Sequence, residues 1–90
     1  MIALVKVISV KPADGYRLEV TFSDGTAGVC DLSDFVLGHG PMVAPLRDQA
    51  FFSRVFLSFG VPTWPNGCDI DAVALHMEMA AAGALRQVAA

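Results

Sequence analysis

The feature of the sequence that most constrains the fold is an alternating segment with an Asp-Gly pair on either side. Over residues 16–23, apolar and polar side chains alternate, as is typical of a β-strand with one buried face and one solvated face. Asp-Gly pairs are favoured in the tight turns of β-hairpins. We expect a further strand on each side, over residues 3–11 and 26–30. The sequence therefore predicts an antiparallel sheet that begins with a three-strand meander.

The second Asp-Gly pair, Asp24 and Gly25, also predicts how two of these strands pair. A two-residue loop at this turn places Leu18 opposite Asp31 and puts the small apolar side chains of the third strand on the buried face. A carboxylate on a buried face is costly. We therefore expect Asp31 to leave the sheet and to cap a short helix.

Proline and glycine residues divide the rest of the chain into short elements. The predicted elements are a loop over 36–44, a helix over 45–55 that begins with Pro45, a strand over 56–59 and an edge segment over 62–64 that contains Trp64. A turn follows at Asn66 and Gly67. Either Asp69 or Asp71 is then expected to cap the last helix.

The last predicted helix is apolar on most of its sides. Its main apolar stripe has helical spacing and consists of Ile70, Val73, Ala74, Met77, Ala81, Ala84, Leu85 and Val88. A second, weaker stripe consists of Leu75, Met79 and Ala82. Gly83 either ends or bends this helix. Because hydrophobic residues make up 54% of only 90 residues, we expect part of this apolar surface to be covered by a partner.

These elements together predict an α+β fold. It has an antiparallel sheet that begins with a three-strand meander, helices packed on one face, and a C-terminal apolar helix. The length is that of one domain over residues 1–90, with a Met/Ala-rich helical tail over residues 77–90.

Composition and charge exclude several classes of function. The net charge is −3 and the six basic residues are scattered, so no direct binding to nucleic acid is expected. Apolar runs are too short to span a bilayer, and residues 1–10 lack the features of a signal peptide. We therefore expect a cytoplasmic protein with no membrane association, in which Cys30 and Cys68 are reduced thiols.

An ordered set of residues resembles a small bacterial family, catalogued as domain of unknown function 2442, over about residues 4–76. The set consists of residues 22–25 (Phe-Ser-Asp-Gly), Asp31, Leu32, Phe51, Val55, residues 64–67 (Trp-Pro-Asn-Gly), Asp69 and Leu75. The resemblance implies a compact cytosolic α+β domain with three N-terminal strands, followed by a helix and a further strand. Many members are encoded beside another tiny protein, which implies a role in a toxin–antitoxin-like pair. The resemblance implies no catalytic residues.

Few residues are candidates for chemistry. A metal site would draw on Asp69, Asp71, His76, His39 or Cys68, but their spacing matches no known ligand pattern. We therefore expect no metal and no cofactor. Cys30 is expected to pack as a small hydrophobic residue, whereas the position of Cys68 before a helix is one that lowers a thiol pKa. The alternative to a binding role is a small hydrolase-like enzyme that uses the aspartates Asp24, Asp31 and Asp69 around one pocket.

The sequence thus favours a non-enzymatic protein-interaction module. The residues expected to bind a partner are Trp64, Met77, Met79 and Leu85, and those expected to form turns and caps are Asp24, Gly25, Asp31, Asn66, Gly67 and Asp69. For Trp64, a binding hot spot and a core position are both consistent with the sequence. The expected partner is a second copy of the chain, forming a homodimer, or a small protein for which this chain is the antitoxin-like or regulatory subunit.

Overall fold

The computed structural model of the chain describes residues 5–38 and 40–88. In chain order, its elements are β1 (Val7–Pro12), β2 (Arg17–Phe22), β3 (Thr26–Asp31), α1 (Ser33–Val36), a 3₁₀ helix (Ala44–Arg47), α2 (Gln49–Phe52), β4 (Phe56–Ser58), β5 (Val61–Thr63), α3 (Ala72–Ala81) and β6 (Arg86–Gln87). In these residues, β1, β2, β3 and β6 form the main sheet in that order, and β4 and β5 form a separate antiparallel hairpin. The predicted α+β fold, its three-strand meander and its C-terminal helix are confirmed.

Parts of three sequence predictions fall outside the described residues. These parts are the start of the first strand at residue 3, the loop residue His39 and the last two residues of the tail. Within residues 5–38 and 40–88, no helix is both long enough and apolar enough to cross a membrane.

Trp64 is completely buried in the hydrophobic core. Its indole Nε1 donates a hydrogen bond to the backbone oxygen of Phe52 at 2.9 Å, and the two rings lie 5.7 Å apart. Tyr16 packs edge to face against Phe52, with ring centroids 5.5 Å apart. Because the hydrogen bond satisfies the polar atom of the buried indole, the ring packs in the core at little polar cost. The structure therefore corrects the expectation that Trp64 contacts a partner, since its ring has no exposed surface.

The β2–β3 hairpin has a three-residue loop, one residue longer than the sequence predicts. The backbone N–H of Gly25 donates a hydrogen bond to the oxygen of Phe22 at 3.1 Å, and Gly25 has a φ of +88°. A left-handed residue after a tight turn closes three-residue loops of this kind, and glycine adopts that φ without steric cost. The resulting pairing places Thr21 opposite Ala27.

The longer loop exchanges the two faces of β3. Leu18 lies opposite Cys30, so the predicted pairing of Leu18 with Asp31 is wrong. Since side chains alternate along a strand, a shift of one residue exchanges the buried and exposed sets. Cys30 is consequently buried, whereas Val29 is 45% exposed. Asp31 remains in β3, opposite Arg17, and the N-cap of α1 is Leu32 without a side-chain cap, so the prediction that Asp31 leaves the sheet to cap this helix is wrong. Its exposed carboxylate instead accepts hydrogen bonds from the backbone N–H and the hydroxyl of Ser33 in the turn after the strand.

The predicted helix over residues 45–55 is two short helices. Asp48 separates them, because its ψ of 119° is extended and its side chain accepts a hydrogen bond from the N–H of Ala50 at 3.1 Å. Asp48 therefore ends the 3₁₀ helix and caps α2. Pro45 lies in the first turn of the 3₁₀ helix, where its fixed φ and missing N–H are tolerated.

The edge of the main sheet along β1 carries features that oppose the addition of another strand. A bulge at Ile8 interrupts the pairing with β2, Lys11 is exposed, and Pro12 ends the strand. Bulges, lysines and prolines at a sheet edge each hinder pairing with another chain. At the start of β1, the N–H of Val7 donates to the oxygen of Gly60 at 2.9 Å, so the β4–β5 hairpin covers this end of the edge.

After α3, the chain returns to the main sheet instead of continuing as a helix. Helix α3 ends at Ala81, and β6 pairs antiparallel with the start of β3. The expectation of a helical tail beyond residue 81 is therefore wrong for the described residues. On its way to β6 the backbone crosses Gly28, where a Cβ atom would lie 2.0 Å from the carbonyl oxygen of Ala84. Glycine at this position is what permits the close approach.

Replacing Trp64 by alanine is expected to destabilise the fold by about 3–5 kcal/mol, because the change removes a large buried ring. Phe59 provides the control, since its side chain is 96% exposed. The substitution Phe59→Ala is expected to change the free energy of unfolding by about 0.5 kcal/mol or less. Urea unfolding followed by far-ultraviolet circular dichroism measures both variants. Equal losses in the two variants would contradict the placement of Trp64 in the core.

The substitution Gly28→Ala is expected to destabilise the chain by about 1–3 kcal/mol, because the added methyl group meets backbone at Ala84 rather than a movable side chain. Hydrogen exchange locates the effect. The N–H of Val88 donates to the oxygen of Gly25 at 2.8 Å, and its protection should fall in this variant. Unchanged stability and unchanged exchange at Val88 would show that the backbone does not cross there.

Candidate functional site

Helix α3 begins at a side-chain cap. The Oδ2 atom of Asp71 accepts a hydrogen bond from the N–H of Ala74 at 2.9 Å, which satisfies one of the free donors at the helix start. Just before the cap, Asp69 forms a β-bridge with Thr63 of β5. Of the two aspartates expected to cap this helix, Asp71 does so, and Asp69 attaches the preceding segment to the β4–β5 hairpin.

Helix α3 ends in a Schellman motif centred on Gly83. The N–H of Gly83 donates to the oxygen of Ala80 at 3.1 Å, and the N–H of Ala84 donates to the oxygen of Met79 at 2.9 Å. Gly83 has a φ of +71°, as the left-handed residue of this motif requires. The motif redirects the chain toward the sheet and fixes the length of α3 at Ala72–Ala81.

The face of α3 that packs on the core is the weaker of the two stripes that the sequence predicts. The buried residues of the helix are Ala72, Leu75 and Met79, each 4% exposed or less. Leu75 and Met79 bury more apolar area than the alanines of the main stripe, and burial is favourable in proportion to that area. In addition, several residues of the main stripe are not in the helix, since Ile70 precedes α3 and Ala84, Leu85 and Val88 follow it. The number of apolar residues in a stripe therefore does not identify the buried side of this helix.

The opposite side of α3, which we call the outer face, consists of Ala74, Met77 and Ala81. All three are exposed, and the Met77 side chain is 66% exposed. Their spacing of three and four residues places them on one side of the helix. A helix on a protein surface usually carries charged or polar residues on its solvent side. Here exposed Glu78 lies at one border of the outer face, whereas the three exposed residues that form the face are apolar. The outer face is therefore a candidate surface for binding another protein.

The structure separates the residues that the sequence predicts as partner contacts. Met77 lies on the outer face, whereas Met79 is 3% exposed and belongs to the core. Leu85 is half-buried and packs against the core cluster after the helix has ended. Trp64 is in the core as well. Met77 is thus the member of this predicted set whose side chain is mainly available to a partner.

A pair of side chains that the sequence did not predict ties α3 to the β2–β3 loop. The Nε2 atom of His76 lies 2.8 Å from the Oδ2 atom of Asp24. The His76 ring also packs edge to face on Phe22, with centroids 4.8 Å apart. The two residues of the pair are 52 positions apart in the chain. Their contact depends on which face of α3 packs on the sheet, and the sequence pattern does not identify that face.

The second oxygen of Asp24 is also bound. Its Oδ1 atom accepts hydrogen bonds from the N–H of Thr26 at 3.0 Å and from the hydroxyl of Thr26 at 2.6 Å. These bonds, the hydroxyl bond foremost, lower the pKa of Asp24, and partial burial acts in the opposite direction. The contact with His76 lowers the pKa further. Asp24 is thus held in its charged form as a structural carboxylate of the loop.

The three aspartates proposed as a hydrolytic set do not lie together. Asp24 is in the loop before β3, whereas Asp31 is the last residue of that strand. A strand rises about 3.3 Å per residue, so the two are separated by roughly 16 Å or more. Asp69 is on a third segment, bridged to Thr63. Asp24 and Asp31 each accept a backbone hydrogen bond within their own turn.

The described residues contain no cluster of side chains that could bind a metal ion. Burial raises the pKa of the Cys30 thiol. Burial is also the main reason why the pKa of Cys68 is raised, and the negative charge of nearby Asp69 adds to the effect. The expectation of a lowered pKa at Cys68 is therefore wrong. Across residues 5–38 and 40–88, no three histidine, cysteine, aspartate or glutamate side chains are grouped closely enough to hold a metal ion.

The remaining predicted turn residues lie in the loop between β5 and α3. The side-chain oxygen of Asn66 accepts a hydrogen bond from the N–H of Cys68 at 3.1 Å, and its amide nitrogen donates to the oxygen of Met42 at 2.9 Å. Gly67 has a φ of +90°. The hydrogen bond from Asn66 to Met42 therefore attaches the loop before α3 to the segment that precedes the 3₁₀ helix.

The substitution Asp24→Asn is expected to cost about 1 kcal/mol or less at pH 7, because the partners of this carboxylate are partly exposed. Since the folded pKa of Asp24 is lower than its ordinary value of 3.8, the stabilisation by the carboxylate is present above that value. It is lost as the pH falls through the folded pKa. Urea unfolding should therefore show a larger difference between wild type and Asp24→Asn at pH 7 than at pH 2.5, which lies below the ordinary pKa of 3.8.

The matched control is Asp14→Asn, at the exposed turn between β1 and β2. It should alter stability little at either pH. A loss of stability in Asp24→Asn that is as large at pH 2.5 as at pH 7 would contradict the role of the charged carboxylate.

Comparison with known proteins places the chain in a family. The family described as "Protein of unknown function (DUF2442)" matches residues 7–79. No curated protein and no solved structure gives a significant match. Because the match covers most of the 90 residues, the chain belongs to the DUF2442 family.

Proposed function

We propose that this chain is a non-enzymatic protein-interaction module that binds through the outer face of α3. The observation that supports the proposal is the exposure of Ala74, Met77 and Ala81 on one side of a helix whose other side is packed on the core. Water is a poor environment for such a surface, and apolar patches on small proteins mark sites of association.

The outer face is shaped for close contact with another helix or strand. Two alanines flank one methionine, so a partner backbone approaches closely on either side of a long, adaptable side chain. Methionine is common in binding surfaces because its unbranched thioether adjusts to different partners. Rigid capping by Asp71 and by Gly83 holds this surface in place before a partner binds. Preorganisation of this kind lowers the entropic cost of association.

The proposal includes the biological setting that the family resemblance implies. The chain acts in the bacterial cytoplasm, either as a homodimer or as the antitoxin-like or regulatory subunit of a two-protein system. An enzymatic alternative that uses Asp24, Asp31 and Asp69 has less support, because these aspartates are at separate positions and two of them stabilise their own turns.

The substitution Met77→Glu is expected to weaken association. It places a charge at the centre of the outer face, which a partner would have to desolvate, and should weaken binding by about tenfold or more. Sedimentation velocity of the purified chain measures self-association, and co-expression with the product of the adjacent reading frame measures binding of a small protein partner.

The control is Ile8→Glu, which adds the same charge at an exposed position on β1, at the opposite edge of the main sheet. Circular dichroism should show that both variants remain folded. A wild-type chain that is monomeric at about 100 μM or more, and that also fails to bind the adjacent gene product, would contradict the proposed function.

A further inference from the structure

A groove lies between β3 and α3, on a different side of the helix from the outer face. Its volume is about 370 Å³, and the residues that line it are Val29, Cys30, Asp31, Leu32, Leu75, Glu78, Met79, Ala82 and Ala84. The floor is apolar, since Cys30, Leu32, Leu75 and Met79 all belong to the hydrophobic core. A volume of this size accepts one large apolar side chain with space to spare.

The groove exists because the chain, coming from α3, reaches the edge of β3 late. In the described residues, β6 pairs with β3 at Thr26 and Ala27 and no further along the strand. The preceding segment crosses over Gly28 toward the helix. The second half of β3 is therefore left without a neighbouring strand on this side, within the part of the chain that the structure describes.

The open half of β3 presents backbone hydrogen-bonding groups to the groove. The N–H of Leu32 donates to the oxygen of Tyr16 at 2.7 Å, so the even-numbered residues of β3 bond toward β2. In an antiparallel sheet, the residues between them direct their N–H and C=O groups the other way. Val29 and Asp31 therefore offer their backbone groups to a strand that would lie beside them.

The open edge also lacks the features that protect the opposite edge of the sheet. Along β1, a bulge, a lysine and a proline hinder strand addition. Residues 28–31 have the sequence Gly-Val-Cys-Asp, which contains neither lysine nor proline, and their pairing with β2 is regular. Its charged side chain, Asp31, opposes an acidic strand but not a basic one, so this edge is a template for a chain of complementary charge.

The rim of the groove carries negative charge. Asp31 lies at the end of β3 and Glu78 lies on α3, and both line the groove. An aspartate is charged at neutral pH, and hydrogen bonds from the hydroxyl and the N–H of Ser33 lower the pKa of Asp31 further. Two carboxylates around an apolar floor complement a basic residue next to an apolar one, and they would repel an acidic segment.

We propose that this groove binds an extended segment of a partner protein, which adds as a strand beside residues 29–31 and inserts an apolar side chain flanked by basic residues. Backbone hydrogen bonds to Val29 and Asp31 supply the alignment. The apolar floor and the two rim carboxylates select the sequence, as is usual for binding by strand addition. The site is separate from the outer face of α3, so its test does not depend on the proposed function.

A set of short peptides tests this proposal by NMR titration of the ¹⁵N-labelled chain. The probe is acetyl-Lys-Thr-Leu-Thr-Lys-amide, in which leucine and both lysines project from the same side of a strand. We expect a dissociation constant on the order of 1 mM, as is usual for so small a ligand. The amide shifts should be concentrated in residues 29–32 and 75–84.

Three altered peptides separate the contributions. Replacing both lysines by glutamate should weaken binding about tenfold or more, and replacing leucine by serine should do the same. Methylating the backbone nitrogens of both threonines removes hydrogen-bond donors without altering charge, and it too should weaken binding about tenfold or more if the segment adds as a strand. Equal binding of the methylated peptide would overturn strand addition.

Two neighbouring alanines at the C-terminal end of α3, Ala81 and Ala82, provide matched variants of the protein. Ala82 lines the groove and Ala81 lies on the outer face, so Ala82→Leu should weaken binding about tenfold while Ala81→Leu leaves it unchanged. Glu78→Gln should weaken it about twofold to fivefold at low salt, and Met77→Gln should have no effect.

Several results would overturn the proposal. They are shifts centred outside the groove, equal affinity for the lysine and glutamate peptides, and undiminished binding to Ala82→Leu. If the free chain instead shows concentration-dependent shifts at residues 29–32 that Ala82→Leu removes, and the lysine peptide does not bind, the occupant is a second copy of this chain rather than a basic segment of a partner.

Discussion

The crossing of the backbone over Gly28 is the constraint on which the rest of the structure depends. The carbonyl oxygen of Ala84 occupies the space that a Cβ atom would need there. This contact brings the end of α3 down onto the inner face of the sheet. It also determines that β6 begins late and pairs with only the first part of β3. The open half of β3 follows from this arrangement, together with the Schellman motif at Gly83 that ends α3.

Helix α3 therefore presents different surfaces on its different sides. Its inner side supplies Leu75 and Met79 to the core, its outer face is apolar and exposed, and one flank forms a groove with an acidic rim. The other flank carries His76, which meets Asp24. Since the helix has only ten residues, most of its positions face either the core or a surface suited to association. The outer face and the groove are the two surfaces at which we propose that this chain binds other proteins.

The limits of sequence-based prediction for this chain have identifiable physical causes. The meander was predictable because strand alternation and Asp-Gly turns are local signals. The register was not, because a two-residue and a three-residue loop have the same sequence signature and differ only in how Gly25 closes the turn. The buried side of α3 was not predictable from spacing, since nearly every position is apolar and the side that packs depends on the path beyond Gly83. The contact between Asp24 and His76 depends on the closure of the β2–β3 loop and on the buried side of α3, and no local pattern specifies it.

The apolar outer face has a simple alternative explanation, and the residues differ in how well they fit it. Alanine is the strongest helix former and exposes little apolar area, so Ala74 and Ala81 are compatible with a solvated helix that has no partner. Met77 is not explained in this way. Lysine, glutamate or glutamine would form the helix equally well at that position and would be better solvated, yet the chain places there a long apolar side chain that is 66% exposed. Helix formation alone does not select methionine at that position, which is why the proposed function is tested at Met77 and not at the alanines.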